Sequence, residues 1–244
     1  MKKITVALAA LILTAAAVAT PALAAIEVGG SAYVGFFDKY LWRGFDLSGS
    51  QPVVQGGVNL STHGFTLGYW TNVQASTDEG AELTAGEASE TDITLDYTYA
   101  NDYVALSVGN IYYMLDEPLA NTSELYLGVT AKTVLSPTVK VYYDWDEAEE
   151  NGLFYTASVS HAFAPMEKLN VGVGALVSYN DESDFSVGNY SDWHNYELSA
   201  SATYAITDQL SITPSLVYSS PISDEAKDAI DSEFLGGVTL TLTF

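Results

Sequence analysis

The chain has 244 residues with 31 Asp and Glu, 8 Lys and Arg, three His and no Cys, which gives a formal net charge of -23. Eight basic residues cannot form the clustered positive patch that binds nucleic-acid phosphates, so we expect no nucleic-acid partner. The lack of Cys excludes disulfides, thiolate metal sites and a cysteine nucleophile, while 17 Tyr and 19 Gly, with many Val, Thr and Ser, favour strands over helices.

The first segment has the pattern of a cleaved signal peptide. Lys2 and Lys3 precede an apolar run over residues 4–18, and the stretch that ends at Ala24 has the small-x-small pattern of a cleavage site. A membrane-spanning anchor is the alternative, but the apolar run is short and no basic flank follows it. We therefore predict a signal peptide over residues 1–24 and a single domain over residues 25–244.

The rest of the chain alternates apolar and polar residues, and the pattern is clearest where Val238, Leu240, Leu242 and Phe244 interleave with Gly and Thr. Strict alternation is typical of strands with one apolar and one polar face. The predicted strands span residues 28–42, 51–61, 65–75, 91–100, 103–115, 122–133, 137–146, 152–163, 169–180, 192–205, 210–220 and 233–244.

The connections between these strands alternate in length. Short turns follow the even strands, whereas longer and more acidic segments follow most odd strands. This arrangement is typical of a transmembrane antiparallel up-and-down β-barrel with short periplasmic turns and longer extracellular loops. A soluble sandwich is the alternative, but its strands are usually shorter and nothing forces its loops to alternate in length. We predict an all-β, twelve-stranded barrel in the bacterial outer membrane, in contact with lipid and lipopolysaccharide.

Two segments resemble known proteins. The alternating C-terminal segment that ends at Phe244 resembles the insertion signal of bacterial outer-membrane barrels, which implies recognition by the barrel-assembly machinery. The segments Phe-Asp-Lys-Tyr-Leu-Trp-Arg-Gly over residues 37–44 and Gln-Pro-Val-Val-Gln-Gly-Gly over residues 51–57 are similar to the TorF-like porin family of proteobacteria. The motif residues of that resemblance are Arg43, Gly44, Gln55, Gly56 and Gly57. The resemblance implies a barrel with a pore, and it supplies no substrate.

If the apolar face meets lipid, the residues of opposite parity face the lumen. The charged residues on that face are Asp92, Asp96, Glu124, Asp144, Glu197, Lys132 and Lys140. Most of the carboxylates are expected toward the extracellular half, and carboxylates in a narrow passage attract cations. The alternative, held equally, is that these charges pair across strands, Glu124 with a Lys or Asp144 with Arg43, and fill a closed interior.

Four large aromatic residues share the inward parity. They are Trp70, Tyr113, Tyr126 and Tyr142. Such side chains either constrict a channel or offer stacking surfaces to a ligand, and the sequence does not choose between these roles.

The acidic loops and the three histidines are weaker candidates. Acidic loops at residues 77–90, 144–150 and 224–233 predict a solvated rim, with divalent bridging to lipopolysaccharide phosphates as a less favoured hypothesis, because no Asp-x-Asp-x-Asp-Gly calcium loop is present. A barrel-wall lipid hydrolase would need a nucleophile motif near His63, His161 or His194, and none occurs. We interpret these histidines as turn or interfacial residues and predict no metal, no cofactor and no enzymatic activity.

The predicted function is therefore a porin-like channel for passive diffusion of small hydrophilic solutes, with a preference for cations. The alternative is a non-conducting barrel that supports the envelope or binds a partner through its acidic loops.

Overall fold

A computed structural model describes residues 27–77, 84–116, 118–148 and 152–244. Within these residues twelve antiparallel strands close into one barrel in which each strand pairs with its neighbours along the chain. The barrel strands are β1 (Gly29–Phe37), β4 (Val53–Thr62), β5 (Phe65–Gln74), β6 (Ala88–Ala100), β7 (Val104–Leu115), β8 (Thr122–Ala131), β9 (Thr138–Asp144), β10 (Leu153–Met166), β11 (Leu169–Ser183), β12 (Gly188–Ala205), β13 (Leu210–Pro221) and β14 (Glu233–Thr243). The barrel closes because β1 pairs with both β4 and β14, so that Val34 lies between Gly56 and Leu240.

The outer surface of the barrel carries the apolar face of each strand. Leu95 and Leu127 are 57% and 59% exposed, and the corresponding residues of β12 and β14, Leu198 and Leu240, are exposed as well. Closure pairs the backbone groups between strands, which lets such a surface lie in hydrocarbon. The twelve-stranded transmembrane barrel predicted from the sequence is confirmed.

The connections at the end of the barrel that holds Phe244 are short. The turn between β4 and β5 consists of His63 and Gly64, which both have positive φ angles of 51° and 87° and form a two-residue hairpin loop. At the same end, the backbone N–H of Phe244 donates to the carbonyl of Gly30 at 3.0 Å. The opposite end carries the longer connections, as expected. The strands β11 and β12, with 15 and 18 residues, are the longest of the described barrel strands.

The first strand is shorter than predicted. The sequence pattern predicts a strand over residues 28–42, but β1 ends at Phe37. Residues 38–52 leave the wall and include the hairpin of β2 (Leu41–Trp42) and β3 (Phe45–Asp46), which form a separate two-stranded sheet. Arg43 and Gly44 form the turn of this inner hairpin, with φ angles of 49° and 87°. Residues 40–42 are apolar and favour a strand, so composition extends the predicted strand to residue 42, although Asp38 on the outward parity interrupts the alternation of β1.

The loop before β14 contains the short helix α1 (Asp224–Ala229). Ser223 caps its N-terminus by accepting a hydrogen bond from the backbone N–H of Ala226 at 3.1 Å. Ala226 and Ile230 are buried, and α1 packs against β12. Within the described part of the chain, no helix has the length and apolarity needed to cross a membrane.

Candidate functional site

The inner hairpin enters the lumen, and Arg43 at its tip forms an ion pair with the barrel wall. The Arg43 guanidinium lies 2.7 Å from a carboxylate oxygen of Glu124 on β8 and donates to the hydroxyl of Ser186 at 3.0 Å. The guanidinium carbon of Arg43, Cζ, lies 4.3 Å from the ring centre of Phe154 and 4.4 Å from that of Trp42. The side chains of the ion pair are only 8% and 2% exposed, so the pair is desolvated and sandwiched between aromatic rings.

The ion pair contradicts the pairing that the sequence suggests. Asp144 is the expected partner of Arg43, but Arg43 pairs with Glu124, which also accepts a hydrogen bond from the Tyr113 hydroxyl at 2.9 Å. Asp144 instead accepts from the hydroxyl of Thr122 at 2.7 Å and from two backbone N–H groups of the following loop. Asp144 therefore orders the start of its loop.

A β-bulge places His194 under the hairpin. Between β11 and β12, the two residues His194 and Asn195 oppose the single residue Ser178, so the side chains of both turn inward. The Nε2–H of His194 donates to the carbonyl of Arg43 at 2.6 Å, and Nδ1 bonds to the hydroxyl of Tyr190. The prediction that His194 is an interfacial or turn residue is wrong, because the bulge reverses its parity and the side chain is fully buried.

Two further residues of the same loop hold the hairpin at its base. The Tyr40 hydroxyl donates to the Glu90 carboxylate at 3.0 Å, and its ring lies 5.4 Å from that of Trp70. Lys39 forms an ion pair with Glu233 at 2.5 Å, and the hydrogen bond from this pair raises the pKa of Lys39. Trp70 thus packs against Tyr40 at the base of the hairpin.

Asp46 closes the hairpin loop. Its carboxylate accepts hydrogen bonds from the backbone N–H and the hydroxyl of both Ser48 and Ser50, at 2.6–3.0 Å. Burial alone would raise the pKa of Asp46, but these four hydrogen bonds outweigh it and lower the pKa below 3.8.

Below the hairpin the lumen contains a polar cavity of about 550 Å³. Hydroxyl side chains form most of its lining, together with Asp96, Tyr126 and Lys140. The Tyr126 hydroxyl donates to Asp96 at 2.6 Å, and the Lys140 ammonium lies 5.3 Å from the centre of the Tyr126 ring. Lys132 lies in the exposed turn after β8, so it does not line this cavity.

The structure brings carboxylates together along the inner face of β6. Glu90, Asp92 and Asp96 share the inward parity of this strand. Asp92 Oδ1 is buried and accepts no hydrogen bond from the described residues, and no described Lys or Arg forms an ion pair with any of the three carboxylates. We call this set the β6 acidic track.

The remaining predicted aromatic and acidic residues also face inward. Tyr142 lies below the hairpin, with its ring centre 5.2 Å from the Arg43 guanidinium carbon and 5.8 Å from the Tyr126 ring. Glu197 accepts a hydrogen bond from the amide of Asn195 at 3.1 Å.

The second motif segment shapes the wall of β4. Gln55 donates to the side chain of Asn72 at 3.2 Å. A Cβ atom on Gly57 would lie 2.6 Å from the Tyr33 hydroxyl oxygen, so the absence of a side chain makes room for this phenol in the lumen. Gly56 lies on the outer face.

The three histidines lie in separate parts of the barrel. His63 lies in a turn, where its Nδ1 is 2.9 Å from the Thr62 hydroxyl, and His161 faces outward with its Nδ1 2.9 Å from the carbonyl of Val134. Both ring nitrogens of His194 are engaged, one by a carbonyl and one by a phenol. In the described ranges, no group of three or more His, Asp or Glu side chains is arranged to hold a metal ion.

A family model described as bacterial protein of unknown function (Gcw_chp) matches residues 22–217. The chain belongs to the Gcw_chp family. A NanC porin structure is similar to it with a TM-score of 0.60, 9% identity and coverage of 88% of this chain and 100% of that chain. An outer-membrane channel from Pseudomonas putida F1 is similar with a TM-score of 0.53, 11% identity and coverage of 93% and 100%. No curated protein matches the chain.

These likenesses, at such low identities, concern the fold. Together with the apolar outer surface, they make this Gcw_chp protein a bacterial outer-membrane β-barrel of the type found in porins and channels. The predicted signal peptide over residues 1–24 lies outside the described residues, as do parts of the acidic loops at residues 78–83 and 149–150.

Sequence reasoning misses two residues of the site. Glu90 is assigned from the sequence to the solvated acidic loop at residues 77–90, but β6 begins at Ala88, three residues before the predicted strand, and Glu90 is 6% exposed. Tyr40 falls within the predicted first strand, and Asp38, a charged residue on the outward parity, is the local signal that the wall has ended before it.

Proposed function

We propose that this Gcw_chp protein is a porin-like channel that lets small hydrophilic solutes, preferentially cations, cross the outer membrane by passive diffusion. The β6 acidic track is the observation that carries the proposal. Two cations face this part of the lumen: Arg43, whose charge is paired with Glu124 at 2.7 Å, and Lys140, which lines the cavity that Asp96 faces. The inward carboxylates of the described residues outnumber these two cations. The lumen therefore keeps a surplus of negative charge, and such a surplus attracts cations and repels anions.

The placement of the track supports a route for ions. Residues two apart on a strand are separated by roughly 7 Å, so Glu90 and Asp92 are adjacent sites, while Asp96 lies roughly 13 Å beyond Asp92. Asp96 faces the polar cavity of about 550 Å³, which is large enough for hydrated ions. The hairpin narrows the upper half of the lumen, and the track runs past it into this cavity.

The test is the reversal potential of the refolded protein in a planar bilayer under a KCl gradient. We expect cation selectivity in the wild type and a weaker selectivity in the double variant Asp92→Asn with Asp96→Asn, because neutral side chains no longer attract cations. Asp208→Asn, in an exposed turn, is the matched control and should leave the reversal potential unchanged. Anion selectivity in the wild type, or a double variant identical to it, would contradict the proposal.

One observation favours a second function, a non-conducting barrel that presents its loops to a partner. The hairpin is packed into the upper lumen through a buried ion pair, aromatic rings and His194, and such packing could seal the barrel. An absence of conductance in a correctly folded wild-type protein would favour this second function.

The resemblance to the TorF-like porins supports the first proposal. Its motif residues Arg43 and Gly44 form the turn that enters the lumen, and Gly57 makes room for the Tyr33 side chain. These three motif residues therefore shape the interior of the barrel. We also propose that the strand ending at Phe244 contacts the barrel-assembly machinery and that the acidic rim lies beside lipopolysaccharide.

A further inference from the structure

A second cavity, of about 440 Å³, lies at the loop end of the barrel between the hairpin and the wall formed by β6, β7 and β8. Its sides are apolar and include Trp42 and Tyr113, whose ring centres are 6.2 Å apart in an edge-to-face arrangement. Leu119 and Phe185 line it from two further loops. The cavity is thus distinct from the hydroxyl-lined cavity below the hairpin.

The charged groups that line this cavity are acidic, and its neutral polar groups are mainly hydroxyls. Glu90 is 6% exposed and accepts from Tyr40, whereas the Glu124 charge is already balanced by Arg43. Asp116 lines the cavity as well, and no Lys or Arg of the described residues does so. Glu90 also interacts with the neighbouring Asp92 carboxylate. Two adjacent buried carboxylates without a cationic partner are costly when both are ionised, so the cavity favours a ligand that supplies a positive charge.

We propose that this cavity binds a small organic cation, an ammonium group attached to an aromatic or branched aliphatic body. The apolar walls would bury the body of such a ligand, while the aromatic faces and the Glu90 carboxylate would hold its ammonium group. A hydrated inorganic cation gains nothing from apolar walls, and an anion is repelled by Glu90. The site goes beyond the proposed channel function, because it would exist in a sealed barrel as well.

The experiment measures binding to the refolded full-length protein in lipid nanodiscs by isothermal titration calorimetry. The probes are 2-phenylethylammonium, the neutral 2-phenylethanol and the anionic 3-phenylpropionate, which share one aromatic body and differ in charge. We expect the ammonium probe to bind at least about tenfold more tightly than the neutral probe, and the anionic probe not to bind. Potassium at the same concentration should not displace the ammonium probe.

Two variants locate the binding. Glu90→Gln should weaken binding of the ammonium probe about tenfold, because the charge-assisted hydrogen bond is lost. Leu119→Ser, at the exposed mouth of the cavity, should weaken it severalfold while leaving the bond between Tyr40 and Glu90 in place. Glu197→Gln, a carboxyl change elsewhere in the lumen, is the matched control and should bind as the wild type does.

Two results would overturn the proposal. Equal affinity of the wild type for the ammonium and neutral probes would mean apolar partition without charge recognition. Unchanged affinity in Leu119→Ser and in a folded Glu90→Gln would place any binding elsewhere. If Glu90→Gln does not fold, the wild-type charge series and Leu119→Ser decide the question.

Discussion

Arg43 connects the inner hairpin to the barrel through both its side chain and its backbone. Its guanidinium bonds to Glu124 and Ser186, and its backbone carbonyl accepts a hydrogen bond from His194. The sequence shows Arg43 as part of a motif and Glu124 as an inward carboxylate. It does not show that they pair, because pairing depends on the path of the loop through the lumen.

Removal of the guanidinium tests this connection. Arg43→Ala leaves the buried Glu124 without a cationic partner and with only the Tyr113 hydrogen bond, which we expect to lower the free energy of unfolding by about 3–5 kcal/mol. The double variant Arg43→Ala with Glu124→Gln should recover part of that loss, since the unpaired charge is gone. Equilibrium denaturation in detergent micelles measures both. A loss below about 1 kcal/mol in Arg43→Ala would mean that the pair is solvated.

Asp46 gives the hairpin loop a pH dependence. Hydrogen bonds from Ser48 and Ser50 hold its pKa below 3.8, so their stabilising effect is present above pH 3.8 and is lost as the pH falls through the folded value. We expect the loop to stay ordered from about pH 7 to about pH 4. Titration of the Asp46 carboxyl carbon by NMR, assigned with Asp46→Asn, measures this pKa, and a midpoint above 3.8 would contradict the hydrogen-bonded geometry.

At the scale of elements, the turn of the inner hairpin packs against the loop before β14. Gly44 has a φ of 87°, and a Cβ atom there would lie 2.5 Å from the terminal carbon of Ile230. Gly49 has a φ of 62°, but a Cβ atom added to it would meet no neighbouring atom within 4 Å. A side chain at Gly49 would therefore cause backbone strain without a steric clash. The two glycines therefore form a matched pair.

Alanine at these two positions should have unequal effects. We expect Gly49→Ala to cost about 1 kcal/mol of unfolding free energy from strain, and Gly44→Ala about 1–3 kcal/mol more, because Ile230 must move. Denaturation midpoints of the two variants provide the comparison. Equal midpoints would mean that the turn and the loop before β14 are not in contact.

The limits of sequence reasoning are also clearest at the element scale. Alternation locates the twelve wall strands because lipid on one side and polar lumen on the other impose a period of two on each. Residues 40–42 are apolar and favour a strand although the chain has left the wall there, so their composition does not reveal the hairpin. The bulge at His194 and Asn195 is equally invisible, because an extra residue reverses parity without changing composition.

At the scale of the whole molecule, the barrel is predictable and its interior is only partly so. Asp92, Asp96, Glu124 and Asp144 face the interior as their parity predicts, because parity follows from strand geometry alone, and their role in lining an ion route stays a prediction. The width of the passage through the lumen depends on the position of the loop at residues 38–52. A twelve-stranded barrel is wider than the eight-stranded barrels that wall side chains fill, so an inserted loop has room and controls the remaining passage.

The central claim is that the inner hairpin constricts a porin-like lumen lined by the β6 acidic track. The most direct measurement is the single-channel conductance and reversal potential of the wild type and of a variant in which a short Gly-Ser linker replaces residues 39–48. We expect a small, cation-selective conductance in the wild type and a severalfold larger, still cation-selective conductance in the variant. Equal conductance in the two proteins, or no conductance in either folded barrel, would contradict the claim.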